Sequence, residues 1–434
     1  MNTLKILAVA LLALVQSEAL AQKQTTNDRP VADGVPSKDE ITLASVLRTV
    51  RENNPTLKAV RAKWELMKAR IPQARAWEDL RFSANSVAGR FVDIPPDSFM
   101  NQTVMLEQEL PVSGKNLSRS RAATAEAVAT FEELRRAELD AMTRAKVAYF
   151  KLSGAYAQLK NNNKNQELLK QMVETSRAKY EVGAQSQADV LLAQTDLARL
   201  AESRTLIERD ISDQQSQLNM LMNRPARTSV ASPELLTFKP EHFSSERLEA
   251  LALANRPEIA MAQRKIEAEK ARLELANRQW IADPAVNVTA QRYNATNQAV
   301  NEVDVGISLP LPWLNHAKYS AAITEAGKSL ENAQQEYEAA RTEILSLVRD
   351  QLEKISTTQT NYLLYHDKIV PLADEAVQTT LASYESDKIS FLELITAQRT
   401  LQDVDSTAIE HLTNYRVAVA ELEAVIGADP STEK

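Results

Sequence analysis

Cysteine is absent from the 434-residue chain. That excludes disulfides, thiolate metal sites, a cysteine nucleophile and a lipidated N-terminal cysteine. Glycine is nearly as scarce, with 8 residues, about 2% where ordinary chains hold about 7%. Together with 5% aromatics, this argues against a glycine-rich cofactor fold and a turn-rich β sandwich. Four histidines, His242, His316, His366 and His411, are scattered with none at i, i+3 or i+4 from another, so local spacing supplies no zinc site. No G-x-S-x-G, HExxH, CxxC or phosphate-binding glycine loop occurs, and no acid/base pair stands out. The reading is no enzyme, no cofactor and no resident metal. A net charge of −7 speaks against nucleic acid as partner.

What is there begins at the N-terminus. Residues 1–21 hold Lys5, an apolar run from Ile6 to Val15, and Ala19-Leu20-Ala21. That is the pattern of a secretory signal peptide cleaved after Ala21. Residues 22–40 are polar, with Pro30, Gly34 and Pro36, and read as a flexible leader. No later stretch approaches the ~20 apolar residues of a spanning helix. If the exported chain enters a membrane, it must do so as strands.

The remainder repeats itself at a shift of roughly 200 residues. Asn54-Pro55 answers Arg256-Pro257, Trp77 answers Trp280, Leu110-Pro111 answers Leu309-Pro310, Tyr180 answers Tyr384, and Ala193-Gln194 answers Ala397-Gln398. The first repeat spans 41–224, a connecting segment 225–245, the second repeat 246–427, and a tail 428–434. Each repeat predicts one opening helix (41–77 and 246–280), two strands and two very long helices. The strands fall at 81–93 and 99–110, then at 285–293 and 300–309. In the last strand Val303, Val305, Ile307 and Leu309 alternate with Glu302, Asp304, Gly306 and Ser308. Strands of ~10 residues are long enough to cross a bilayer when tilted, although a soluble hairpin packed on a helix has the same pattern. Two hairpins cannot close a barrel alone, so a membrane reading demands an oligomer.

The long helices carry coiled-coil stripes. Leu197, Leu200, Ile207, Ile211, Leu218 and Leu221 form one; Ala408, Leu412, Tyr415, Val419, Leu422 and Ile426 form the other. Pro371 predicts a kink in the second repeat, and Asn161-Asn162-Asn163 marks the corresponding place in the first.

Tyr180-Glu181-Val182-Gly183 followed by Asp189-Val190-Leu191-Leu192-Ala193-Gln194 resembles the helix-turn-helix tip of the TolC-type outer membrane efflux proteins. The resemblance extends over 41–427. The second copy keeps Tyr384, Leu394, Ala397 and Gln398 but has Asp387 where glycine is usual and Glu393 where aspartate is usual. Glu109-Leu110-Pro111 with Gly114-Lys115, and Leu309-Pro310-Leu311-Pro312 with Asn315, look like the CzcC-type heavy-metal branch. The resemblance implies a mostly α fold with a small β part. Three chains would build one 12-stranded outer-membrane β-barrel, continued by a periplasmic α-helical barrel. The implied partners are two further copies, a periplasmic adaptor, an inner-membrane pump of the RND type and outer-membrane lipid. It would be the passive exit duct of a tripartite efflux pump in the outer membrane of a Gram-negative bacterium, exporting heavy-metal cations.

The implied gate residues are Tyr384 and Asp189, as a phenol–carboxylate latch, and Glu393, as an acidic constriction. Ile389 stands where the family has an arginine, with Lys388 beside it. The implied docking tips are Val182, Gly183, Ala184, Gln185 and Ser186, then Ser386, Asp387 and Lys388. Bland readings stand beside each: Tyr384 as a core aromatic, Asp189 as a helix cap, Glu393 as a solvated carboxylate, the tips as ordinary turns. Phe91, Phe99, Trp280, Tyr293 and Trp313 at strand ends fit either an interfacial belt or junction packing. A soluble periplasmic coiled-coil scaffold or adaptor is the alternative class, and drug or protein export the alternative cargo.

Overall fold

The computed structural model describes residues 41–86, 102–241, 243–295, 298–386 and 388–428, all within one unit. The expected signal peptide and leader, Phe91, Phe99, the expected turn at 94–97, Asp387 and the tail beyond 428 lie outside these residues, as does the Tyr293 side chain.

The opening helix expected at 41–77 is two helices, α1 (Leu43–Asn53) and α2 (Pro55–Arg75). The break follows from Pro55, which keeps the preceding residue out of the α region. Asn54 takes ψ 123° and becomes the cap of α2. Its Oδ1 accepts from Thr56 and Leu57 N–H at 2.9 and 3.2 Å, and its Nδ2 donates to the Leu221 carbonyl at 3.0 Å. The second repeat breaks likewise into α5 (Ser245–Asn255) and α6 (Pro257–Arg278). There Arg256 donates to the carbonyls of Ala424 and Val425. In both repeats the pre-proline residue thus ties the opening helices to the end of a long returning helix.

Those long helices are α3 (Lys115–Glu181) with α4 (Gln187–Leu221), and α7 (His316–Leu364) with α8 (Val370–Glu385) and α9 (Phe391–Ile426). A 3₁₀ turn at Pro312–Asn315 leads into α7. With 67 residues, α3 is about 100 Å long at 1.5 Å per residue. It runs unbroken through Asn161-Asn162-Asn163, because buried Asn162 donates to the Leu200 carbonyl on α4 at 3.2 Å instead of competing for its own backbone. The second repeat is interrupted where Pro371 predicts it. A π turn, Tyr365–Ile369, separates α7 from α8, with Val370 N–H reaching Tyr365 O. Widening the turn accommodates the ring and the missing donor of proline.

Among the described residues, three apolar clusters hold the helices. One packs Val46, Val50, Leu57, Tyr149, Leu152, Leu218 and Met222 at the first repeat. The second joins Leu248, Ile259, Ile344, Val348, Tyr415 and Leu422. The third, near the turns after α3 and α8, contains Leu169, Val173, Leu200, Tyr384, Phe391, Leu394 and Ile395. The coiled-coil stripes supply their buried members: Leu200, Ile211, Leu218 and Leu221 from α4, and Tyr415, Val419, Leu422 and Ile426 from α9.

The segment between the repeats is strapped to the helices by side chains. Ile41 bridges Pro233. Ser153 Oγ donates to Glu234 O at 2.6 Å and Tyr415 Oη to Lys239 O at 2.7 Å. Phe238 lies against the rings of Tyr362 and Tyr415.

The strands β1 (Arg81–Ser86), β2 (Gln102–Glu109), β3 (Ala285–Ala295) and β4 (Gln298–Ser308) form one antiparallel sheet in the order β1-β2-β3-β4. The two repeats therefore pool their hairpins. The register pairs Phe82 with Leu106, Leu106 with Val288, and Val288 with Val305.

Candidate functional site

Because side chains alternate along a strand, this register decides what each face of the sheet presents. One face carries Phe82 and Ala84, Val104 and Leu106, Val286, Val288 and Ala290, and Val303, Val305 and Ile307, and ends in the polar row Ser86, Gln102, Arg292 and Asn301. The opposite face carries Arg81, Ser83 and Asn85, Thr103 and Glu107, Asn287, Thr289 and Gln291, and Glu302 and Asp304. Arg81 pairs with Glu107 at 3.4 Å, and Gln291 donates to Asp304 at 2.8 Å. On this face Arg81 and Glu107, and Gln291 and Asp304, satisfy one another, whereas the apolar face is uncovered. Val303, Val305 and Ile307 are 68, 73 and 74% exposed. Among the described residues, the outer edges of β1 and β4 have no partner strand. Among those same residues, no helix is long and apolar enough to cross a membrane.

Below the sheet, Asp283 fastens the end of β2 to the start of β3. This buried carboxylate accepts from Ser113 N–H and Oγ, both at 2.7 Å, and from Lys115 Nζ at 2.9 Å. Burial pushes its pKa up, but the Lys115 and Ser113 bonds outweigh that and hold it below the usual aspartate value. Gly114 takes φ +71°, and Arg278 Nη1 sits 2.7 Å from where a Cβ would stand. Trp280 packs at this junction against His316 and Tyr319, while Trp313 stays exposed.

At the far end, the first turn is a Schellman closure. Gly183 N–H reaches Tyr180 O at 2.9 Å and Ala184 N–H reaches Lys179 O at 2.8 Å, with Gly183 at φ +77°. Val182 is 79% exposed at this tip. Ser186 and Asp189 then form a reciprocal capping box that starts α4. The second tip repeats the plan. Lys388 N–H reaches Ser383 O at 3.0 Å, and Ser390 caps α9 by accepting from Glu393 N–H and donating to its carboxylate at 3.2 Å. Ser386 is exposed, and its Oγ donates back to Ala382 O.

The expected latch residues thus have partners within one chain. Asp189 is engaged by Ser186. Tyr384 is buried, meets Phe391 edge-on, and donates its hydroxyl to Gln185 Oε1 at 2.8 Å. Lys179 Nζ lies 4.0 Å from the Tyr384 ring centroid, within cation–π range. Gln185, a tip residue by sequence, is therefore also what Tyr384 holds. Glu393 is exposed, and Ile389 packs against the apolar cluster.

Sequence reasoning missed a second polar link between the two helical hairpins. Asp196 on α4 and Arg399 on α9 form a bidentate pair, Nε–Oδ2 and Nη2–Oδ1 each 2.7 Å. The Asp196 side chain is 7% exposed. The only sequence signal was opposite charge on two helices lying far apart in the chain. Among the described residues, no group of three or more histidine, aspartate or glutamate side chains is placed to hold a metal.

A family model described as outer membrane efflux protein matches residues 46–224 and 248–428. The cobalt-zinc-cadmium resistance protein CzcC of Cupriavidus metallidurans is 25% identical over 219 residues, 50% of this chain, and the match spans only 46% of that protein's length. The outer membrane protein TolC of Vibrio cholerae is 20% identical over 405 residues, covering 89% of this chain and 90% of that one. The open state of the MtrE outer membrane channel of Neisseria gonorrhoeae has the same fold, with a TM-score of 0.74 at 17% identity, covering 89% of each chain.

Proposed function

The chain belongs to the outer membrane efflux protein family, and from that premise we propose that it is the outer-membrane exit channel of a tripartite efflux pump. One observation carries the reading: a four-stranded sheet with an uncovered apolar face, a polar face and two unpaired edges. Hydrocarbon offers no partner to an open strand edge, so such a sheet enters a bilayer only as part of a closed barrel. Three copies supply 12 strands, with the apolar face toward lipid and the polar face toward a water-filled lumen. The long helices continue the duct into the periplasm of a Gram-negative cell.

The protein performs no chemistry in this role. Cargo follows a wet path, driven by an inner-membrane pump through a periplasmic adaptor. The exposed first tip, Val182 to Ser186, and the second, Ser386 to Lys388, are the docking points. Tyr384, held by Gln185 and Lys179, is the latch at the closed end. Asp189 orders the adjoining turn, and Glu393 supplies the acidic group at the constriction. The partial match to a cobalt-zinc-cadmium resistance protein favours heavy-metal cations over drugs or proteins as cargo.

Fractionation tests the channel. A heat-modifiable trimer in the detergent-extracted outer membrane, conducting in planar bilayers, is expected. A monomer in the periplasmic wash would return the chain to the scaffold class. Growth of a deletion strain across a metal and drug panel tests the cargo, with sensitivity expected to cobalt, zinc or cadmium.

A further inference from the structure

The chain contains one complete junction between sheet and long helix, and the two halves of another. In the complete one, Asp283, two residues before β3, accepts from Lys115 Nζ at the start of α3 at 2.9 Å. It joins the hairpin of the second repeat to the long helix of the first. The repeats are equivalent in structure as well as in sequence. Lys63 pairs with Glu133 across α2 and α3, and Lys265 pairs with Glu336 across α6 and α7. Ala141, Ala145 and Leu152 are buried on α3, and Ile344, Val348 and Ile355, each 203 positions later, are buried on α7. The same shift carries Lys115 to Lys318 in the first turn of α7. The counterpart of Asp283 is Asp79, which likewise lies two residues before its strand, β1.

Within one chain this second pair cannot form. β1 and β4 are the outer strands of the sheet. They stand about 14 Å apart, three steps of 4.7–4.9 Å, a gap that an aspartate and a lysine side chain do not bridge across two intervening strands. Asp79 and Lys318 are both exposed, and among the described residues neither joins an ion pair. The segment carrying Asp79 is nonetheless held in place: Asn116 donates to Ala76 O at 2.8 Å, and Arg119 pairs with Glu78 at 3.7 Å. A second copy that sets its β1 beside this chain's β4 brings its Asp79 to Lys318 as Asp283 is brought to Lys115.

We propose that Lys318 of one copy pairs with Asp79 of the next, repeating between copies the junction that Lys115 and Asp283 make within each chain. The proposal rests on the channel reading. Asp283 also takes two bonds from Ser113, whereas the 3₁₀ turn Pro312–Asn315 ahead of α7 holds no serine or threonine. The junction between copies therefore has a single strut where the one within the chain has three bonds.

Because the chain has no cysteine, thiol cross-linking reads the contact directly. Asp79→Cys with Lys318→Cys in one chain, treated in outer membranes with a short thiol-to-thiol cross-linker, is expected to give covalent dimers and trimers on boiled gels. Neither single variant should, nor should Asp79→Cys with Lys328→Cys, whose second thiol lies about 15 Å farther along α7 at 1.5 Å per residue. The charges are read by the temperature at which the untreated trimer dissociates on gels. Lys318→Glu should lower it, and Lys318→Glu with Asp79→Lys should restore it. Heat-modifiable trimers that give no link between positions 79 and 318 overturn the pairing, as do trimers that link equally well in a single variant or through Lys328→Cys. Unchanged dissociation in Lys318→Glu, or an exchanged pair no more heat-stable than Lys318→Glu, overturns it too. Should the wild type form no trimer, the channel reading fails and takes the pairing with it, whereas a wild-type trimer whose variants do not link fails the pairing alone.

Discussion

Replacing Asp283 probes how the sheet is fixed to the helices. The carboxylate makes three bonds at 2.7–2.9 Å from an almost fully buried position. Asp283→Ala leaves the Ser113 hydroxyl and amide without their acceptor, and Lys115 with only the Ile281 carbonyl at 2.8 Å. Removing one partner of such a pair costs about 3–5 kcal/mol. Against an unfolding entropy of about 2.1 cal/mol/K per residue, the midpoint of a unit this size falls by roughly 4–6 °C. Asp283→Asn keeps a neutral acceptor for Ser113 and should lose about half as much. The acid dependence follows from the lowered pKa. A carboxylate whose folded value lies below its unfolded one contributes fully above about pH 4 and stops contributing as pH falls through the folded value. The gap between wild type and Asp283→Ala should therefore narrow as melting is followed from pH 7 into acid by circular dichroism, with other carboxylates cancelling in the difference. Equal midpoints at pH 7, or a gap that stays constant into acid, would refute the assignment.

Three further outcomes are expected. Val305→Lys puts a charge in the middle of the apolar face and should cost about 2–4 kcal/mol in a bilayer, cutting the yield of heat-modifiable trimer, while Thr289→Lys on the polar face should assemble normally; equal yields would reverse the assignment of faces. Tyr384→Phe with Asp189→Ala removes the hydroxyl bond to Gln185 and the capping box, about 1 kcal/mol each, and should raise resting conductance in planar bilayers; unchanged conductance sinks the latch. Gly183→Arg meets no atom within 4 Å of its new Cβ but keeps φ +77°, a strain of about 1–2 kcal/mol. Trimers should survive while efflux in cells stops, and normal efflux would remove the first tip from the docking surface.

What could be read in advance was whatever has a period or a local signature. The two-residue alternation of Val303, Val305 and Ile307 named the face that the register then completed across all four strands. The heptad leucines named the buried side of α4 and α9, and Gly183 the sharp turn. Pro371 marked the interruption before α8 because a missing donor acts on its own helix. The breaks at Asn54 and Arg256 were signalled by the prolines that follow, yet amphipathic continuity on both sides suggested one helix. Asn161-Asn162-Asn163 misled for the opposite reason: local polarity suggested a kink, and a tertiary bond from Asn162 to α4 absorbed it. Asp196–Arg399 and Asp283–Lys115 join residues whose separation along the chain is 203 and 168, so nothing near either partner announces the other.

The bare outer edges of β1 and β4 also bear on inheritance. If each cylinder is completed by hydrogen bonds passed from copy to copy, one subunit with a spoiled edge disables its two sound companions. In a cell making sound and spoiled copies equally, only roughly one assembly in eight would hold three sound subunits. A lesion in either edge strand is thus expected to be dominant, whereas damage to the cargo path alone would be diluted by its neighbours.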